Sequence, residues 1–284
     1  MSIMNIVNIE NLHVSFHIHD GIVHAVRGVS LELYSGGNLG IVGESGSGKS
    51  VTFMALMCLL QKPGALIEAD KLELCGHDML CASKQTLADV RGRIAAMIFQ
   101  DPMTSFDPIF TIGHQIVETI QTHRQTSNRA AQEQASDLLE RVEIENPTLV
   151  MNYYPHQMSG GMLQRAMIAM ALSCEPQLLI ADEPTTALDV TVQAQVLQLI
   201  SDIQAETGMS MIIITHDLGV IAETVDNVAV MYGGRVMETG STLDIFENPK
   251  HSYTKALIDS IPGRTPGKRK LREIRADEKA AWLN

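Results

Sequence analysis

The chain has little of what marks several large classes of protein. Its 284 residues include four cysteines, Cys58, Cys75, Cys81 and Cys174, with no C-x-x-C pair, so we expect reduced thiols and no disulfide scaffold. Because it has no run of about 18 apolar residues and no signal peptide at its start, we expect any membrane role to come through a partner. The formal net charge of −12 and the pI near 5.2 disfavour general nucleic-acid binding.

What is present supports a substantial α/β core. The chain is 45% hydrophobic and 19% charged, and its length suits one large domain or a main domain with a small accessory one. Strand-like alternation from Val7 to Leu33 predicts a small antiparallel sheet at the N-terminus. Apolar residues at helical spacing from Thr111 to Glu145 predict an inserted helical subdomain, at about residues 103–172. We assign residues 1–262 to this folded part and residues 263–284 to a basic, solvated C-terminal tail.

A glycine-rich stretch between an apolar strand and a helix gives the strongest chemical signal. Its pattern is G-x-x-x-x-G-K-[ST], in which inward-facing N–H groups cradle a polyphosphate, the lysine reaches the β- and γ-phosphates and the final hydroxyl binds Mg²⁺. The residues are Gly43, Glu44, Ser45, Gly46, Ser47, Gly48, Lys49 and Ser50, followed by Val51 in the helix. The alternative, a glycine-rich turn that binds nothing, does not account for this strand–loop–helix context.

A second helix start has similar chemistry. Ser159 is predicted to cap the helix that follows, and Gly160 and Gly161 leave backbone N–H groups open at its N-terminus. The sequence therefore predicts a second anion site in the same chain.

Polar residues also follow three predicted buried strands. Gln100 comes after the first, Asp182 and Glu183 after the second, and His216 after the third. Ligands of α/β sheets bind at the carboxyl ends of the strands, so one acid can serve Mg²⁺ while the other polarises a water molecule. A surface acid pair and a structural histidine are the alternatives at these positions.

Taken in order, these motifs resemble the ATP-binding subunit of an ABC transporter, over about residues 5–262. The resemblance implies a P-loop NTPase core of the RecA-like kind, with an N-terminal antiparallel β subdomain and an inserted α-helical subdomain. The motifs are the phosphate loop, FQDP at 99–102, SGG at 159–161, LIADEP at 179–184, ALD at 187–189 and THD at 215–217.

The resemblance also implies a function for each motif residue. Gln100 is the Q-loop glutamine, which touches Mg²⁺ and senses the permease, and Asp182 is the Walker B acid. Glu183 is the general base for the attacking water, and His216 is the switch histidine. Phe16 is the implied adenine-stacking residue, with Val26 beside the ribose. The implied catalytic set is Lys49, Gln100, Glu183 and His216, and the implied magnesium set is Ser50, Gln100 and Asp182.

Family members act as head-to-tail dimers, which implies that ATP also meets residues from the opposite subunit. The residues that act in trans are Ser159, Gly160, Gly161 and Asp189. The stretches at 99–108, 154–162, 182–195 and 249–254 resemble the dipeptide, oligopeptide and nickel uptake branch. That branch implies a second, non-identical ATPase, two membrane permeases and a periplasmic or lipid-anchored substrate-binding protein, with this subunit peripheral on the cytoplasmic face of the membrane.

The cargo stays open between peptides and nickel or another chelated metal, and the short tail with the stretch at 158–165 resembles the nickel-uptake ATPases slightly more. Many peptide-type members carry a C-terminal cysteine cluster that resembles an iron–sulfur site, but no cysteine follows Cys174, so we expect no cluster. A soluble ABC ATPase in translation or DNA repair is a competing class, but its doubled cassettes or long insertions are not seen in this sequence. The third candidate class is a pseudoenzyme that only senses nucleotide. The intact set Lys49, Asp182, Glu183 and His216 argues against it.

Overall fold

The computed structural model describes residues 4–19, 21–61, 64–185, 188–261 and 282. Within these ranges the chain forms eleven strands and eleven α-helices. The strands are β1 (Asn5–Ile18), β2 (Gly21–Tyr34), β3 (Asn38–Val42), β4 (Ala65–Glu68), β5 (Lys71–Leu74), β6 (His77–Asp78), β7 (Ala95–Ile98), β8 (Leu178–Asp182), β9 (Ser210–Thr215), β10 (Asn227–Tyr232) and β11 (Arg235–Ser241). The helices are α1 (Lys49–Leu56), α2 (Lys84–Val90), α3 (Pro102–Ser105), α4 (Ile112–His123), α5 (Asn128–Arg141), α6 (Pro147–Val150), α7 (Gly160–Leu172), α8 (Val190–Thr207), α9 (Leu218–Thr224), α10 (Thr242–Glu247) and α11 (Ser252–Asp259).

The chain divides into two compact units. The first consists of Met1–Cys81 with Ile213–Asn284, and the second of Ala82–Ile212. The partition proposed from the sequence, with a helical subdomain at about 103–172 and a tail at 263–284, stays a prediction. The basic cluster Lys268-Arg269-Lys270 lies outside the described residues.

The predicted N-terminal antiparallel sheet is confirmed in the first unit. Its strand order is β2-β1-β5-β6, and β4 also pairs with β1. Val7, Ile9, Leu12 and Val14 of β1 are all at most 1% exposed. Their spacing changes from two to three at Asn11, where φ is +52° and the register with β2 shifts. A β-bulge with one residue in the left-handed region keeps both apolar pairs on the buried face.

The first unit also contains the strand that leads into the glycine-rich loop. β3 pairs in parallel with β10, with Val42 opposite Val230, and β11 adds an antiparallel edge. Leu39, Ile41 and Val42 are at most 7% exposed, as expected for a parallel strand covered on both faces. Helix α9 packs closely against one face of β3, because a Cβ atom on Gly40 would lie 2.6 Å from the Ile221 side chain.

The second unit joins a parallel strand pair to a helical bundle. β7 and β8 pair in register, with Ile98 opposite Ala181. Helices α4, α5 and α7 pack on one another. Ile116, Leu139 and Ile168, one from each of these helices, are fully buried at 0% exposure. The helical region predicted from Thr111 to Glu145 is therefore present, as α4 and α5 with a short turn between them.

Four short helices leave no clear pattern in the sequence. They are α2, α3, α6 and α9, each of four to seven residues, too short to show a helical period. A proline often ends regular structure, but Pro102 begins α3, and the Asp101 carboxylate caps that helix by accepting the Met103 N–H. Proline suits the first helical position because its missing N–H would be unpaired there.

None of the four cysteines, all of which lie in the described ranges, takes part in a disulfide bond. In the described ranges, the helices are too short or too polar for any of them to traverse a lipid bilayer.

Candidate functional site

The glycine-rich loop is held by close backbone contacts within the first unit. A Cβ atom on Gly43 would lie 2.1 Å from the Met231 carbonyl oxygen of β10. Gly48 has φ of +95°, and a Cβ atom there would lie 2.5 Å from the Ala25 carbonyl oxygen of β2. Neither position admits a side chain without movement of the backbone. The two glycines are therefore required by neighbours far from them in sequence.

Lys49 is buried inside the loop at 5% exposure. Its ammonium donates to the carbonyl oxygens of Gly43 at 2.8 Å and Glu44 at 3.0 Å, with the Ser47 hydroxyl at 3.5 Å. A buried ammonium needs such acceptors to offset its lost hydration. A phosphate placed in the loop would compete with these carbonyls for the same charge.

Helix α1 begins in this loop without a side-chain cap. The residue that precedes α1 is Gly48, which has no side chain to bond the first N–H groups of the helix. These groups and the helix dipole form a site that suits an anion. Ser45 and Gly46 are exposed, Ser50 and Val51 are half-buried, and nothing lies within 4 Å of a Cβ atom placed on Gly46. The geometry fits a polyphosphate.

Two other segments of the first unit hold the loop from outside. The Gly234 N–H, in the turn between β10 and β11, donates to the Ser47 carbonyl at 3.0 Å. The Glu44 N–H donates to the Tyr253 hydroxyl of α11 at 3.1 Å. Sequence reasoning missed Tyr253, and no local pattern could have found a partner 209 residues away.

The remaining predicted residues of the first unit lie at strand ends or edges. Phe16 is half-buried on β1, where it pairs with Val23 and Ala65. Val26 is buried at 1% exposure, so its side chain offers little surface to a ribose. His216 is exposed directly after β9, and Asp217 caps α9 by accepting the Gly219 N–H at 2.7 Å. The adenine and γ-phosphate contacts of these residues stay predictions.

The acid pair ends strand β8 in the second unit. Asp182 is 6% exposed, whereas Glu183 is half-buried and has φ of +48°. This left-handed conformation is uncommon for glutamate and often marks a functional position. The strand alternation ends at this residue, so the carboxylates of Asp182 and Glu183 have different surroundings.

Gln100 and Glu183 lie together, although 83 residues separate them. The Gln100 side-chain N–H donates to a Glu183 carboxylate oxygen at 2.8 Å. This contact orients the carboxylate and leaves the Gln100 amide oxygen as an acceptor. The hydroxyl of Ser50, the amide oxygen of Gln100 and the carboxylate of Asp182 are the hard oxygen donors that Mg²⁺ prefers, so the donor chemistry fits this ion.

The predicted cap of the second glycine-rich helix is confirmed. The Ser159 hydroxyl accepts the Met162 N–H at 3.3 Å, and Gly160 is exposed at the start of α7. Ser159 and Gly161 also line a cavity of about 410 Å³ together with Met162 and Arg165. This helix start is open enough to accept a ligand or another chain.

Arg165 holds this helix in place and was missed from the sequence. Its guanidinium donates to the Val142 carbonyl at 3.0 Å, the Glu143 carboxylate at 2.8 Å and the Gln195 side-chain oxygen at 3.1 Å. These bonds tie α7 to the end of α5 and to α8. The Arg side chain is 10% exposed and Glu143 is 68% exposed, so the pair lies at the edge of the core.

Asp189 has a clear structural function. Its carboxylate accepts the N–H groups of Thr191 at 3.1 Å and Val192 at 3.0 Å, which caps α8. Nothing within the chain bears on its predicted contact with an opposite subunit, so that assignment stays a prediction.

Two known families match this chain. Residues 26–186 match the family described as "ABC transporter". Residues 237–281 match the family described as "Oligopeptide/dipeptide transporter, C-terminal region". The first match contains the glycine-rich loop and the acid pair, and the second contains α11 with Tyr253.

Curated relatives and a solved structure are similar over most of the chain. The glutathione import ATP-binding protein GsiA of Escherichia coli (strain K12) is 51% identical over 263 residues, which are 91% of this chain and 42% of that protein. The chain thus spans less than half the length of GsiA. The probable peptide ABC transporter ATP-binding protein y4tR of Sinorhizobium fredii is 48% identical over 270 residues, 95% of this chain and 81% of that protein. The dimeric ATP-binding cassette MJ0796, described as a post-hydrolysis state bound to ADP and Pi, superposes with a TM-score of 0.72 at 25% identity, covering 83% of this chain and 98% of that one.

Proposed function

The chain belongs to the ABC transporter family of ATP-binding proteins, and on that premise we propose that it hydrolyses ATP to drive an importer for peptides. The observation that carries this proposal is the buried Lys49 ammonium, held by carbonyls of a loop that leads into the N-terminus of α1, where the helix dipole suits phosphate. The match of residues 237–281 to an oligopeptide and dipeptide transporter region favours peptides over nickel. The names of GsiA and y4tR support the same class of cargo.

Binding of ATP begins with an exchange of partners at Lys49. The ammonium leaves the carbonyls of Gly43 and Glu44 for the β- and γ-phosphates, while the N–H groups at the start of α1 donate to phosphate oxygens. Ser50, Gln100 and Asp182 are the residues that would hold Mg²⁺. When bound, this ion neutralises charge on the phosphate oxygens and orients them for in-line attack.

Hydrolysis then depends on Glu183. Its carboxylate accepts a proton from the attacking water, and Gln100 orients that carboxylate through the 2.8 Å hydrogen bond. His216 donates to the γ-phosphate. A change in the Gln100 loop would alter the position of the base, which gives a permease a physical means to control hydrolysis.

The open helix start at Ser159 and an exposed apolar patch support the proposed partners. A second, non-identical ATPase presents its own Ser-Gly-Gly helix start to the bound ATP, while Ser159, Gly160, Gly161 and Asp189 of this chain face the partner's nucleotide. The second unit leaves Met103, Ile109 and Phe110 exposed at 49%, 70% and 41%, which suits an apolar helix of a permease. The chain works peripherally on the cytoplasmic face of the membrane, with two permeases and a substrate-binding protein outside.

Glu183→Gln in the assembled importer tests the proposed chemistry. The change keeps the shape of the side chain and a hydrogen-bond acceptor for Gln100, but it removes the base, so we expect ATP hydrolysis to fall by roughly 10²–10⁴-fold while ATP binding persists. Lys49→Ala is the control that should lose binding as well. Hydrolysis near the wild-type rate in Glu183→Gln would refute the assignment of the base, and unchanged binding in Lys49→Ala would refute the nucleotide site.

Uptake assays decide the cargo. Cells that lack this ATPase subunit but keep the rest of the importer, and carry either the wild-type chain or Glu183→Gln, are given a labelled dipeptide, labelled glutathione or ⁶³Ni²⁺. We expect uptake of a peptide that depends on Glu183. Uptake of nickel alone would contradict the peptide proposal without affecting the ATPase assignment.

A further inference from the structure

We propose that Tyr253 is a positioning residue for the phosphate-binding loop, through which the C-terminal helix α11 fixes the first turn of that loop. The proposal rests on the proposed function, because it takes residues 43–50 as the loop that binds ATP. It concerns a residue outside the ABC cassette match, in the region matched by the oligopeptide and dipeptide transporter family.

The contact is a part-buried hydrogen bond between α11 and the loop. The Glu44 N–H donates to the Tyr253 hydroxyl at 3.1 Å, and the Tyr253 side chain is 0% exposed. A phenylalanine would fill the same apolar space, so packing alone does not call for a hydroxyl. A partly buried N–H that loses its acceptor costs free energy, and the hydroxyl supplies an acceptor for the Glu44 N–H.

Residue 44 is held on both sides of its backbone. Its carbonyl accepts the Lys49 ammonium at 3.0 Å from within the loop, and its N–H is held by Tyr253 from outside. When the ammonium turns to phosphate, the first of these bonds is given up. The Ser47 N–H still donates to that carbonyl at 3.1 Å from within the loop, and Tyr253 remains as the anchor that holds residue 44 from outside. The tyrosine therefore matters most in the state that contains nucleotide.

Aromatic neighbours fix the ring that carries the hydroxyl. The Tyr232 ring, at the end of β10, lies 4.6 Å from the Tyr253 ring between centroids, with 40° between the planes. The Trp282 ring meets Tyr253 at 5.1 Å and 65°, in an edge contact. The Trp282 indole N–H also donates to the Ser252 hydroxyl at 2.7 Å. Offset and edge-on pairs of this kind restrain ring position as well as burying area.

The start of α11 is fixed to the edge strand β11. The Glu238 carboxylate accepts the N–H groups of Lys250 at 2.8 Å and His251 at 2.9 Å. His251 in turn caps the helix, because its Nδ1 accepts the Tyr253 N–H at 3.1 Å. The hydroxyl is thus placed by a rigid chain of contacts that runs from β11 to the loop. A displacement of α11 would be transmitted to Glu44.

Tyr253→Phe in the assembled importer tests the proposal, with Tyr232→Phe as the matched control in the same ring cluster. We measure the Kd of a fluorescent ATP analogue, the kcat and KM of hydrolysis, and the thermal unfolding midpoint. For Tyr253→Phe we expect Kd and KM to rise about 5-fold, the equivalent of about 1 kcal/mol, with kcat within about 2-fold of wild type. Tyr232→Phe should leave Kd and KM within about 2-fold, because its hydroxyl is not the acceptor of the Glu44 N–H.

Each outcome decides the matter. Unchanged Kd and KM in Tyr253→Phe, or equal losses in the two variants, would overturn the proposal. If Tyr253→Phe does not fold, Trp282→Ala decides instead: removal of its ring contact should raise KM by more than the roughly 2-fold allowed for the control, and a KM within that limit would count against the anchor. A wild-type protein that binds no ATP, with Lys49→Ala no different from it, would instead refute the proposed function.

Discussion

Arg165→Met is the change that most directly tests how the second glycine-rich helix is held. Methionine keeps the unbranched apolar stem of the arginine, so little packing is lost. The variant loses hydrogen bonds to the Val142 carbonyl and the Gln195 side-chain oxygen, and Val142 itself is 0% exposed. It also loses the ion pair with Glu143.

The magnitude follows from the burial of each partner. Each hydrogen bond to a neutral group contributes about 1 kcal/mol, and a carbonyl left unpaired in a buried position raises the total cost. The Glu143 side chain is 68% exposed, so water replaces the arginine there and the pair contributes less than about 1 kcal/mol. We therefore expect the free energy of unfolding to fall by about 2–4 kcal/mol.

Urea unfolding followed by far-ultraviolet circular dichroism measures this free energy. Glu143→Gln is the matched control, because it removes the charge of the exposed partner and leaves the two neutral bonds. We expect it to cost less than about 1 kcal/mol. A cost for Arg165→Met as small as that of the control would refute the reasoning, and so would a control that costs as much as Arg165→Met.

Three further predictions concern other parts of the chain. Gly43→Ala should lower the thermal unfolding midpoint and ATP affinity far more than Gly76→Ala, since both have positive φ but only Gly43 faces a carbonyl at 2.1 Å; equal effects would contradict this. Asp189→Ala should cost about 1 kcal/mol in urea unfolding through loss of the α8 cap, and Asp189→Asn should retain most of it; equal losses would exclude capping. Burial raises the pKa of Tyr253 to about 12 from 10.0, so the neutral form stabilises the fold below pH 10 and this contribution is lost as the pH rises through 12. Wild type should therefore lose stability faster than Tyr253→Phe in thermal unfolding between these pH values, and parallel curves would disprove it.

The phosphate loop could be predicted because its pattern is local. A run of apolar residues, a glycine-rich turn and a helix start occupy consecutive positions, and their chemistry depends on backbone N–H groups of the same segment. The cap at Ser159 was predictable for the same reason, since its acceptor and donor are three residues apart. The helices α4, α5 and α7 could be predicted from their apolar spacing or their caps.

Other features needed the folded chain. The β-bulge at Asn11 changes the spacing of buried residues where β1 shifts its register with β2. Helix α3 begins at a proline, a residue that can also end regular structure. The function of Asp189 as a cap was hidden by its place in a recognised motif. In each case the local signal supports two structures, and contacts with other segments choose between them.

The sequence by itself determined the chemistry of this protein: which residues can hold phosphate, which can take a proton, and which helix starts are open. Those properties belong to single side chains and short backbone segments. Only the tertiary structure decided which partners orient them. Gln100 meets Glu183 across 83 residues, and Tyr253 meets Glu44 across 209. A hydrogen bond over such distances leaves no periodicity in either segment, because it depends on where the intervening strands and helices bring the two backbones.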